Sequence, residues 1–160
     1  VNIKKDQTYE VSLSGYSSTS ALEVCWNNAT SLSDPSIYAA HLSGPAPYTL
    51  NKYAYNASST IYTTNGFSAA SPDLSYPSCF TIPAKNTPQI LRVRAIYNDA
   101  LVHIIPKNGS TLPIQGYLIT STGSINSVKK TVKALRTKPF LPSVFDFAVF
   151  STSATDPFQN

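Results

Sequence analysis

At 160 residues the chain is the length of one domain, and a single core spanning 1–160 is expected without metals or many cross-links. Charged residues make up 12% of the composition, about half the usual share, Met is absent, and Ser, Thr, Asn, Tyr and Pro are abundant, as in exported surface proteins. The net charge of +4 reflects few acids rather than many bases, and with no aromatics interleaved in its basic run and no recognisable nucleic-acid module, no nucleic-acid partner is expected.

In chain order, period-2 alternation recurs from end to end, and no window of a dozen residues carries a 3.6 period free of Pro, Gly and β-branched clusters. Tyr9, Val11 and Leu13 alternate with Glu10 and Ser12, Gly15 closes that strand, and Leu22, Val24 and Trp26 begin the next apolar face. These first two strands are expected to pair as neighbours. Further strands are expected at 37–42, 48–55, 78–82, 89–97, 101–105, 116–122, 128–137 and 144–150.

Turn residues punctuate them: Asp34-Pro35, Gly44-Pro45, Asn65-Gly66, Asn98-Asp99, Asn108-Gly109 and Thr122-Gly123. The stretch 56–77 reads as a long loop with a short strand at 60–64, and it is the first place to look for function. With no crossover helices, the fold expected is all-β: a two-sheet antiparallel β-sandwich of about ten short strands, Ig-like in architecture. Trp26 directly follows Cys25, which departs from the spacing of true immunoglobulin domains.

Cys25 and Cys79 are the only cysteines, and in a polar, Tyr-rich chain they read as one structural disulfide. Cys25 lies on the strand face opposite Leu22, Val24 and Trp26, and Cys79 opposite Phe80 and Ile82. The bridge is therefore expected to tie neighbouring segments together at the outer surface.

A hydrolase needs a nucleophile with a base, or two placed carboxylates, and two histidines with eight acids announce neither. His41 and His103 read as core or edge side chains, and Asp146, between Phe145 and Phe147, as a structural acid. No P-loop, dinucleotide fingerprint, HExxH or EF-hand pattern occurs, so no enzyme activity, cofactor or metal is expected. The run Lys129, Lys130, Lys133, Arg136 and Lys138 is the basic cluster, read as a solvated strand face, with contact to an anionic cell surface as the functional alternative.

Tyr48, Tyr53, Tyr55 and Tyr62 gather near the long loop and form a candidate binding surface for a glycan or protein, set against cross-strand packing. Asn28, Asn56 and Asn108 begin sequons and are candidate glycosylation sites. Near the C-terminus Val144, Phe145, Phe147, Val149 and Phe150 make a strand apolar on both faces. Such a strand is either buried centrally or a candidate assembly strand. The chain starts at Val1 and has no apolar run of about 18 residues, so a processed product or fragment is expected, with no membrane span of its own.

Four strings carry a family resemblance: QTYEVSLSGY at 7–16, LRVRAIYNDA at 91–100, LPIQGYLITSTG at 112–123 and KPFLPSVFDFAVFS at 138–151. In these the chain resembles pilin-like surface proteins of the minor-pilin, PilX-like type from uncultured small-genome bacteria. The resemblance implies the extracellular C-terminal domain of a pilus- or filament-associated protein, with a structural or adhesive role. Its implied partners are other pilin or surface-filament subunits, or glycans and proteins of a host or neighbouring cell, with membrane anchoring only through a helix absent from this chain. A lectin-like or adhesin module is the second functional expectation.

Overall fold

The computed structural model describes residues 1–29, 33–57, 64–73, 75–139 and 141. Its strands, numbered in chain order, are all-β and form two five-stranded sheets packed face to face plus a separate hairpin. One sheet runs in the order β1 (Asn2–Ile3), β10 (Ala100–Pro106), β3 (Leu22–Asn28), β8 (Tyr76–Ile82) and β7 (Ser71–Asp73). The other runs β2 (Thr8–Ser12), β9 (Pro88–Ile96), β4 (Ser36–Ser43), β5 (Thr49–Asn56) and β6 (Ser68–Ala69). All pairings are antiparallel except β5 with β6, so the fold is the expected β-sandwich.

Alternation explains which side of each strand is buried. Val24 and Trp26 of β3, Ile37 and Ala39 of β4, and Leu91, Val93 and Ala95 of β9 point between the sheets and are almost wholly buried. Trp26 is fixed by donating its indole N–H to the Pro35 carbonyl at 2.9 Å. Phe80 meets the Trp26 ring edge-on at 6.0 Å, and Tyr55 stacks on Phe80 at 4.3 Å. This aromatic group joins the two sheets and adds geometric preference to its burial.

The first two long strands do not pair as expected. β2 belongs to the sheet of β9 and β3 to the sheet of β8 and β10, so the chain crosses between layers in the connection 13–21. Leu13 and Tyr16, both buried, plug that crossing, and the Tyr16 hydroxyl donates to the Ala21 carbonyl at 3.0 Å. Both side chains join the hydrophobic core where the chain changes sheets, so the crossing itself buries apolar surface.

Cys25 and Cys79 form a disulfide between facing residues of the adjacent strands β3 and β8. It ties neighbouring segments, as expected, but it is not at the surface: Cys25 is fully buried and Cys79 nearly so. His103, the register partner of Cys25 on β10, lies to its other side, with Tyr76 packed on the His103 ring at 4.6 Å.

Between the end of β5 at Asn56 and the start of β8 at Tyr76, the described residues form the short strands β6 and β7, and amides tie this stretch to the sandwich. Asn56 and Asn65 donate to each other reciprocally at 2.9 Å, the Ser36 hydroxyl donates to Asn56 Oδ1 at 2.7 Å, and Asn65 Oδ1 accepts the Phe67 N–H. The expected strand at 60–64 lies almost wholly outside the described residues, and the one expected at 144–150 entirely so. The described residues contain no helix, and therefore none long and apolar enough to cross a membrane.

Candidate functional site: an exposed β-arm and the groove at its root

After β10 the chain leaves the sandwich and forms a hairpin of β11 (Gly116–Ile125) and β12 (Val128–Thr137), ten residues paired with ten. Apart from Gly116 at the root, every residue of both strands is exposed. At roughly 3.4 Å per residue the arm is on the order of 30 Å long. Asn126, with φ of 51°, opens the two-residue turn at the tip, a backbone state that Asn tolerates well. At the root, a Cβ on Gly116 would come within 2.7 Å of the Arg136 carbonyl oxygen, so glycine alone permits this approach.

The root is latched to the sandwich at Ser12. Gln115 uses its side-chain amide as a strand would use its backbone: Nε2 donates to the Ser12 carbonyl and Oε1 accepts the Ser12 N–H, both at 2.9 Å. Lys138, on the returning strand, donates its ammonium to the Ser12 hydroxyl at 3.0 Å and its N–H to the Gln115 carbonyl at 3.3 Å. Between β2 and this latch lies a groove of about 290 Å³, whose walls include Tyr9, Glu10 and Ile90 on one side and Gln115, Lys138 and Pro139 on the other. Beside it Glu10 and its register partner Arg92 form an ion pair at 2.5 Å, and Arg92 also donates to the Leu141 carbonyl at 3.1 Å.

The arm's two faces differ. Directly paired residues share a face, so Tyr117 with Arg136, Ile119 with Ala134, Ser121 with Val132, and Ile125 with Val128 line one side. The other side carries Thr120, Thr122, Thr131, Lys129 and Lys133, with the Leu118–Leu135 pair near the root. The basic cluster is thus an exposed strand, as read from sequence, but its cations alternate between both faces. What that reading missed is the exposure of the apolar residues: Ile125 is 74% exposed, Leu135 69% and Val128 64%. One signal was available, since no acid occurs between Asp99 and Asp146, a stretch that contains the entire basic run.

The other candidate residues are dispersed. Tyr53 and Tyr55 pack on Phe80, and burial pushes the Tyr53 hydroxyl pKa up; Tyr48 is 58% exposed, and Tyr62 lies outside the described residues. The Asn56 amide is buried and donates to Asn65, so a glycan there would dismantle the amide pair. Asn28 donates to Asp34 at 3.5 Å, while Asn108 is exposed in the turn after β10. Val144, Phe145, Phe147, Val149 and Phe150, and Asp146 with them, lie outside the described residues.

His41 is buried in β4 facing the core, and neither ring nitrogen has a hydrogen-bond partner among the described residues. Burial, with the charge of Lys85 adding to it, holds its pKa below the ordinary histidine value. His103 is in the opposite sheet, its pKa lowered chiefly by burial. Glu23, Cys25 and Cys79 are near enough to share a metal, but the sulfurs are bonded to each other and Glu23 pairs with Lys107, which raises the lysine pKa.

No family model, curated protein or solved structure matches the chain. The arm and its latched root are therefore read on their own chemistry.

Proposed function

We propose that this domain is a non-catalytic extracellular module of a pilus- or filament-associated surface protein, and that β11–β12 is the limb through which it assembles or attaches. The observation carrying this reading is the arm itself. Apolar side chains more than half exposed on a latched, projecting hairpin favour contact with something outside the chain, since leaving them in water is unfavourable. A buried disulfide is compatible with an oxidising, extracellular location. The resemblance of four sequence strings to pilin-like proteins is in keeping with this reading.

The test has two parts. Immunogold microscopy of producing cells with an antibody to the sandwich is expected to label filaments or the envelope, and a purely cytoplasmic signal would overturn the reading. Replacing residues 117–136 by a short Gly-Ser turn is expected to release the protein into the medium while Trp26 near-UV dichroism stays native. Retention of the armless protein at the surface would remove the arm from the proposal.

A further inference from the structure

We infer that the β11–β12 arm docks on an anionic lipid bilayer, tip first. This rests on the reading of the arm as the contact limb and names what that limb touches.

The charge distribution is lopsided. Five of the twelve cations, Lys129, Lys130, Lys133, Arg136 and Lys138, belong to β12 and the root, leaving seven cations against eight acids on the rest of the chain. The excess positive charge of the protein therefore sits on the arm. Each described carboxylate is already engaged within its own chain. Asp6 pairs with Arg94, Glu10 with Arg92, Glu23 and Asp73 with Lys107, Asp99 with Lys4, and Asp34 accepts from Asn28.

The tip decides between kinds of anion. Ile125 and Val128 face each other across the turn and are among the most exposed apolar side chains described, with Lys129 and Lys130 immediately behind them. Apolar groups in front and long cationic stems behind match a bilayer interface. The aliphatic side chains enter the headgroup–acyl boundary while the ammonium groups remain among phosphates. A soluble polyanion would use the lysines and leave Ile125 and Val128 in water. Nucleic acid would call for stacking rings, and Tyr117, the arm's one aromatic residue, lies at the root.

The experiment uses the whole chain and vesicles of phosphatidylcholine, with and without about one third phosphatidylglycerol. Co-sedimentation is expected with the anionic vesicles and not the zwitterionic ones. Raising salt from about 0.1 M to about 1 M, which shortens the screening length from about 10 Å to about 3 Å, is expected to release the protein. With each surface cation worth about fivefold in affinity, K129Q/K130Q is expected to bind about 25-fold more weakly. I125S/V128S is expected to weaken binding about tenfold or more without changing the salt dependence. I125W is expected to add a tryptophan emission that shifts to the blue on anionic vesicles, over the constant signal of buried Trp26. Equal binding to both vesicle types, no binding, or heparin binding as tight as vesicle binding and indifferent to I125S/V128S would each overturn the inference. Arm-dependent retention on cells without vesicle binding would sink this inference alone, whereas arm-independent retention would sink the reading beneath it.

Discussion

The hairpins β4–β5 and β11–β12 are both long antiparallel pairs in continuous register, seven residues against seven and ten against ten. In the first, Ile37, Ala39 and His41 are buried against the opposite sheet; in the second, Leu118, Val132 and Leu135 remain more than half exposed. Strand formation depends on local residue preference and on a turn that returns the chain, and both hairpins have these. Burial depends on whether a second sheet lies opposite, which no single hairpin determines. The arm accordingly relies on its root, where Ser12, Gln115 and Lys138 fasten a two-stranded ribbon that would be marginal alone.

Perturbing each region separately sharpens this contrast, beginning with the largest effect. Replacing both cysteines by Ala removes the link between β3 and β8, which encloses a 54-residue separation. It is expected to cost about 4 kcal/mol in urea-induced unfolding. Asn56→Ala removes the amide that holds Asn65 and Ser36, leaving polar groups without it, and is expected to cost about 2 kcal/mol by the same measurement.

His41→Leu replaces a buried imidazole lacking partners among the described residues, and a gain of up to about 1 kcal/mol is expected at acid pH. The sign follows from its lowered pKa. The folded state holds His41 neutral, so its contribution is fully present above about pH 6.5 and is lost as pH falls and the unfolded chain takes up the proton. The variant should flatten that part of the acid limb of the stability curve. An unchanged pH profile would mean that the buried ring is not responsible.

Ile119→Ser with Val132→Ser changes two apolar residues on one face of the arm and is expected to shift unfolding by no more than about 0.5 kcal/mol. A cost comparable to the core variants would show that the arm's apolar face is covered by its own chain.

Much of the fold was legible because its cues are local. Val128–Thr137 matches the expected strand end to end, and most other strands fall within a few residues of expectation, since alternation and turn residues act over short spans. The two-residue β1 and β6 and the three-residue β7 carry too little pattern to be read and exist through pairing with neighbours. The expected pairing of β2 with β3 failed because Leu13 and Tyr16 are better buried by crossing layers than by turning back. For the candidate site, the basic run was visible in sequence. The clamp of Gln115 on Ser12 was not, because it joins residues about a hundred positions apart.

By itself the sequence determined that this chain forms strands, where most of them begin and end, and that Cys25 and Cys79 could bridge neighbouring segments. Tertiary structure alone decided which strands share a sheet, that the bridge is buried, and that β11 and β12 lie exposed outside both sheets. The reason is physical: period-2 alternation is written into consecutive residues, whereas burial requires a surface supplied by distant parts of the chain.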